Sequence, residues 1–220
     1  MRGLILGIAF AGLLVVQVLP SALLAWQQTE RLNDGRSVRL AVETRDPRDL
    51  LRGEYSVLTY EIGRLQGIGV GTPHANCNLE ARESCSLEAG RPIYLRLSAD
   101  AEGVHRADEV LFEPPAGDVP FIKGHLSSGT LVRQGAPLRA RPRTSNQPAE
   151  PAMCQRLACL TGVVTYGIER WYGAQGVPAK LDRAARKEIL VDVRVAADGN
   201  AVLDGILVAG QPFAKTARLW

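Results

Sequence analysis

Four cysteines, three histidines and a few strand-borne carboxylates are the residues of this chain with chemistry to offer. The cysteines come as two close pairs, Cys77 with Cys85 and Cys154 with Cys159, each in a polar, loop-like stretch. An even number in such pairs suits disulfides formed in an oxidising compartment. Sequential pairing within each stretch is the expectation. A cross-link between the two stretches is the alternative, since four cysteines allow three connectivities. Zinc is the competing chemistry, because His74 stands close to Cys77 and Cys85. Only the gap between Cys154 and Cys159 approaches the ~2–4 residues of a zinc knuckle, so disulfides are expected and a metal site is not.

Hydrolysis asks for more than the sequence offers. A serine–lysine dyad needs a lysine buried beside a strand-end serine, so that its amine is held neutral. None of Lys123, Lys180, Lys187 and Lys215 lies in such a stretch, and Ser127 and Ser128 fall in the turn-like "HLSSGT". His74, His105 and His125 could serve a triad, but the "GxSxG" nucleophile elbow is absent. Glu54 and Glu61 fall on opposite faces of one strand and cannot flank one bond from it. No catalytic residue and no cofactor is assigned, and the balance leans away from an enzyme.

Two stretches would position the remaining polar residues. In "DPRDLLRGEY" Asp46 can cap a single helical turn, with Pro47 at its first position and Asp49 three residues after the cap. Arg48 and Arg52 belong to the same entrance turn. Gly53 ends it, where a positive φ is expected. The strand that follows, "EYSVLTYEI", puts Glu54, Leu58, Tyr60 and Ile62 on one face and Tyr55, Val57 and Thr59 on the other. The second stretch, "LTGVVTYGIERWY", reads as a strand in which Gly167 marks a bulge or a close backbone approach. Glu169 and Arg170 then face opposite sides, and one of them could pair with Arg52 or Asp49 to staple the two stretches together. That junction is either a hydrogen-bonded corner or a site for a ligand or partner.

The rest of the chain supplies the setting. "LILGIAFAGLLVVQVLPSALLAW", Leu4 to Trp26, carries no charge. As a helix it would be roughly 34 Å long at ~1.5 Å per residue, enough for the ~30 Å hydrocarbon core with some tilt. Pro20 is tolerated near a membrane helix end, and Trp26 suits the interface. A cleaved signal peptide is the alternative, but its apolar run would be only ~7–15 residues with a small-x-small site after it. Arg2 precedes the span and Arg31, Arg36 and Arg39 follow it, a distribution that opposes export of the domain. Long domains translocate largely regardless of charge, and the cysteines favour export. The expectation is an anchor over residues 1–28 and a periplasmic domain over 29–220.

That domain reads as mainly β: a sandwich or barrel-like arrangement of many short strands with one or two short helices. "SVRLAVE", "IYLRLS" returning as "EVLFE", and "EILVDVRV" turning at Asp198-Gly199-Asn200 into "AVLDGILV" are its clearest strands. "PFIKGHL", "TLVRQ" and "PLRAR" are shorter candidates, and "PAKLDRAARK" reads as one short helix with Pro178 at its start. Loop insertions are expected at about 67–90 and 141–158. Composition is ordinary, with 46% hydrophobic and 22% charged residues, and a net charge of +3 over scattered arginines argues against nucleic acid.

Taken together, "DPRDLLRGEYSVLTYEI" and "YGIERWY" resemble the two signature elements of the GDYXXLXY family, and the resemblance covers nearly the whole chain. The motif residues are Gly53, Glu54, Tyr55, Leu58 and Tyr60, then Tyr166, Gly167, Ile168, Glu169 and Arg170. Glu54 stands where the family has Asp, and Trp171 where Tyr is usual. The cysteine pairs lie in stretches that look like insertions relative to the family. The resemblance implies a membrane-anchored bacterial protein, with its N-terminus cytoplasmic and its domain periplasmic. It also implies a multi-pass membrane protein as partner. It brings no catalytic residue, so binding to an envelope protein is the leading expectation. An anchored hydrolase or small-ligand domain, with a cleft between the motifs, is the alternative.

Overall fold

The computed structural model describes residues 2–45, 55–71, 77–138, 153–174, 176–184 and 188–216, without the side chains of 2–11, 14 and 43–45. The entrance turn Asp46, Pro47, Arg48, Asp49 and Arg52, the motif residues Gly53 and Glu54, and His74 lie outside the described residues, as does 141–152 of the second expected insertion.

The elements in chain order are α1 (Arg2–Asp34), β1 (Arg36–Arg45), β2 (Tyr55–Tyr60), a single 3-10 turn (Glu61–Gly63), β3 (Arg64–Gly69), β4 (Ser84–Leu87), β5 (Pro92–Ala99), β6 (His105–Leu111), β7 (Phe121–Arg133), β8 (Ala158–Thr165), β9 (Arg170–Tyr172), α2 (Val177–Asp182), β10 (Ile189–Val195), β11 (Ala201–Val208) and β12 (Gln211–Lys215). The chain is mainly β with few helices, as the alternating patterns require.

The strands form two antiparallel sheets. The first runs β12-β11-β10-β1-β2-β9. The second runs β3-β8-β7-β5-β6, with β4 also pairing β7. In the first sheet β1 serves two neighbours in succession: Arg36–Ala41 pair with β10 and Val42–Arg45 with β2. The second sheet curls until the chain just past β3 meets β6 through a parallel bridge between Val70 and Val110, so it comes close to a closed barrel. Residues alternate between the core and the outer face, as a period-2 pattern dictates. Leu58 and Tyr60, Val191 and Val193, and Ile93, Leu95 and Leu97 are among the side chains that both sheets bury in one common core.

Several expectations are corrected. The turn-like "HLSSGT" lies inside β7, a 13-residue strand that joins the two shorter strands read from sequence. A register shift between Leu126 and Ser128 accommodates Ser127, a bulge that reads locally like a turn. The stretch 67–90 is not all loop, since β3 continues to Gly69 and β4 holds Cys85. Cys159 likewise sits in β8. The serines on either side of Cys85 are the outward half of strand alternation, both exposed.

The helix differs most. It does not stop near residue 28 but continues through "QQTERLND" to Asp34. The last turns pack on the domain: Leu32 is 4% exposed and Thr29 is 3% exposed. Gly35 then turns the chain directly into β1. Its N–H donates to the Arg31 carbonyl at 3.0 Å, and its own carbonyl accepts from Arg194 Nη1 at 3.1 Å. A Cβ at Gly35 would lie 2.5 Å from the Arg31 carbonyl oxygen, so the hand-over needs glycine. Among the described residues, no helix is long and apolar enough to cross a membrane. Of the expected span, the side chains of residues 4–11 and 14 lie outside the described residues.

Candidate functional site

Along the chain, β1 and β2 belong to the first sheet, β3 to β8 to the second, and β9 to β12 to the first again. Among the described strands the backbone therefore passes between sheets twice. The outward crossing is Tyr60 to Arg64 through the 3-10 turn, and the return crossing is Tyr166 to Glu169. These crossings fall in the two motifs. "YGIERWY" is thus not one continuous strand: β8 ends at Thr165 in the second sheet and β9 begins at Arg170 in the first. Gly167 is the residue that permits this, with φ +81° and open space around the position of a Cβ.

The crossings lie side by side and hold one another. The Tyr60 hydroxyl donates to the Ile168 carbonyl at 2.8 Å, and the Tyr166 hydroxyl donates to the Ile62 carbonyl at 2.6 Å. Each tyrosine opens its own crossing and caps the carbonyl two residues beyond the tyrosine of the other. Their rings meet edge to face with centroids 6.3 Å apart, a favoured aromatic geometry. Tyr60 is 2% exposed and Tyr166 is 7% exposed, and Ile62 and Ile168 are buried beneath them. Burial drives both phenols well above the ordinary range, and the nearby Glu169 charge adds to this. Both tyrosines are neutral donors at any physiological pH.

Glu169 completes the joint locally. Its Oε1 accepts the Tyr166 N–H, and its main-chain carbonyl accepts the Leu58 N–H at 2.7 Å. The carboxylate therefore closes its own turn, and the main-chain carbonyl continues the β2–β9 pairing. The partner expected for it, Arg52 or Asp49, lies outside the described residues. Arg170 is exposed and sits opposite Val57 in the β2–β9 register. Tyr55 is half-buried and its ring lies 5.6 Å from that of Tyr172. Leu58 is fully buried in the core.

Three further contacts escaped the sequence reading. Ser56, fully buried between motif residues, donates its hydroxyl to the Pro178 carbonyl at 3.2 Å and ties β2 to α2. His105 Nδ1 accepts the Arg39 N–H at 3.2 Å, satisfying β1 where β2 has not yet begun to pair. Gly124 lies beneath the joint, where a Cβ would stand 2.4 Å from Val164 Cγ1 and 2.9 Å from the Tyr166 ring. Lone polar residues and glycines within strand patterns give no hint of such long-range partners.

The other candidates are not brought together. Glu61 is exposed and paired with Arg106 at 2.7 Å. Among the described residues no three of His, Cys, Asp or Glu converge as a metal site. The cysteines form disulfides sequentially, Cys77 with Cys85 and Cys154 with Cys159, with Cα atoms 6.2 Å and 5.7 Å apart. Cys154 and Cys159 pack with Val132 and Ala136 in a small second core.

The site is therefore a joint: two sheet crossings locked by reciprocal tyrosines, in a two-sheet β protein with an N-terminal helix. The family described as GDYXXLXY protein matches residues 17–206, and the chain belongs to that family. No curated protein and no solved structure matches it.

Proposed function

We propose that residues 4–26 anchor the chain in a bacterial inner membrane, with the N-terminus cytoplasmic, and that the β domain is a periplasmic module docking on a multi-pass membrane protein. The observation that carries this reading is the surface of α1. Leu13, Val15, Val16, Val18, Leu19, Leu23 and Leu24 are all between 48% and 69% exposed. At ~100° per residue they spread over roughly two-thirds of the circumference, far wider than the ~100° stripe of a helix packed on a domain, and so broad an apolar surface belongs in a bilayer or deep within protein. The two disulfides support an oxidising compartment. The helix runs unbroken into the domain and packs against it, which would hold the domain at a fixed height above the bilayer, a geometry suited to docking on a neighbour in the same membrane.

The motifs serve the fold in this reading. The junction between them is packed and its hydroxyls are spent on main-chain carbonyls, so we place no ligand cleft there and assign no hydrolase activity.

The test is crosslinking in the host from exposed positions of the domain such as Leu157 or Met153, followed by identification of the captured protein. A multi-pass membrane protein is expected. A chain that alkaline extraction releases as full-length soluble protein would remove the anchor. One that stays in the membrane and captures no envelope protein would remove the docking role.

A further inference from the structure

We propose that the groove between the last turns of α1 and the facing edges of the first sheet holds the phosphate headgroup of an anionic phospholipid from the leaflet where α1 leaves the membrane. This rests on the reading of residues 4–26 as a span. The first sheet curls so that its two edge strands approach each other, and Trp171 of β9 meets Phe213 of β12 with ring centroids 6.0 Å apart. Between this seam and α1 lies a groove of about 630 Å³, walled by Gln28 and Thr29 on the helix, by Arg170 and Tyr172 on β9, and by Lys215 and Thr216 at the end of β12.

Three observations converge on an anionic headgroup. The first is charge: among the described residues the lining holds two cations, Arg170 and Lys215, and no carboxylate. Both are exposed, so they reach a ligand at the groove mouth without being desolvated first. The nearest motif carboxylate, Glu169, is turned onto the Tyr166 N–H, and Arg31 is spent on Asp198. Glu30 and Asp34 are exposed on the same helix outside the lining. The second is height: the helical wall of the groove runs from Ala25 to Leu32. It begins where the apolar segment ends, and at ~1.5 Å per residue it rises only about 10 Å. That spans the headgroup layer, about 5–8 Å on each side of the bilayer, and is about one Debye length, where basic residues interact with anionic lipid. The third is the mixture of side chains. Guanidinium forks suit phosphate oxygens, Tyr172 is 63% exposed at the rim, and Leu32, Ile168 and Leu203 offer apolar contact deeper in.

The full chain is reconstituted into nanodiscs of phosphatidylglycerol or of phosphatidylcholine, and lipid retained after release from the disc is counted by native mass spectrometry. Wild type is expected to keep one phosphatidylglycerol at several-fold higher occupancy than phosphatidylcholine. The double variant Arg170→Glu, Lys215→Glu should lose that preference at least fivefold. Lys180→Glu with Arg183→Glu, at exposed positions on α2 and just after its end, outside the groove, should keep it. Equal retention of the two lipids, an unchanged double variant, release by millimolar inorganic phosphate, or capture of a protein segment in the groove instead of lipid would each overturn the lipid site while leaving the anchor standing. A chain that does not enter the nanodiscs would overturn the span and this site together, and circular dichroism identifies any variant that has simply unfolded.

Discussion

Tyr60 and Tyr166 are the residues on which the joint depends, and each does two things at once. The ring fills core volume, and the hydroxyl satisfies a carbonyl that leaves the sheet ladder at a crossing. Replacing either by Phe keeps the ring and strips the bond, leaving a buried carbonyl without its partner, at a cost of about 1–3 kcal/mol. Because each bond steadies the crossing that presents the other, the double variant should depart from additivity by at least ~0.5 kcal/mol in denaturant unfolding. The phenols also set an alkaline limit. Their folded pKa values lie above the unfolded value of about 10, for burial first and the Glu169 charge second. Below pH 10 both states hold the proton and stability is independent of these groups. Above it the unfolded chain loses protons first, and stability falls as pH rises. Either Phe variant should show a shallower alkaline decline when unfolding is followed at stepped pH. Gly167 gives a separate test: a Cβ there meets nothing, yet φ is +81°, so Gly167→Ala should still cost about 1 kcal/mol through backbone strain alone.

At the scale of elements, the disulfides and the helix hand-over carry the testable content. Peptide mapping without reduction should recover Cys77 linked to Cys85 and Cys154 linked to Cys159; a link between the two segments would contradict the arrangement. Replacing Cys154 and Cys159 together by Ser should cost about 2 kcal/mol or more, because it places hydroxyls in the small core with Val132 and Ala136 as well as opening the loop. Replacing Cys77 and Cys85 should cost less, since both are only half-buried. For α1, Leu32→Asp should free the last turns from the domain. Its readout is faster amide exchange confined to residues 28–35, with the β core still protected, because a buried charge without a partner is tolerated only by undocking.

For the whole molecule, the two crossings decide how the sheets are related. β3 to β8 form one uninterrupted excursion, closed off at both ends by one joint. Weakening that joint should loosen the two sheets relative to one another before either sheet melts. Exchange measured on Tyr60→Phe should therefore rise first at Leu58, whose N–H bonds across to the Glu169 carbonyl, and at Tyr166, whose N–H closes the return turn onto the Glu169 carboxylate, and last in the β10–β11 hairpin. The exposed apolar helix is the other molecule-wide feature. If it lies in a bilayer, the full chain should resist alkaline extraction, and a version beginning after Trp26 should be released into the soluble fraction.

Much of this architecture is local and was legible. Period-2 alternation marks β2, β5, β10 and β11, because one face of each must be buried. Asp198-Gly199-Asn200 marks the β10–β11 hairpin, because a tight turn needs φ > 0 at Gly199. Compartment chemistry and short spacing together favoured the disulfide pairing. The crossings were not legible. "YEIG" and "YGIE" both place Tyr two residues before Ile, but a strand that continues and a strand that changes sheets differ only in which distant backbone lies alongside. The hydroxyl partners of Tyr60 and Tyr166 are 108 and 104 residues away, and no local propensity encodes such a distance. The extension of α1 to Asp34 is similar: polar residues end an apolar run, yet a helix continues wherever a buried Leu32 and Thr29 give it a surface to pack on. Sequence alone marked the strongly alternating strands and favoured pairing of neighbouring cysteines, since those depend on neighbours. Only the tertiary structure decided that the two motifs are one joint, because that depends on the contact each makes with the other.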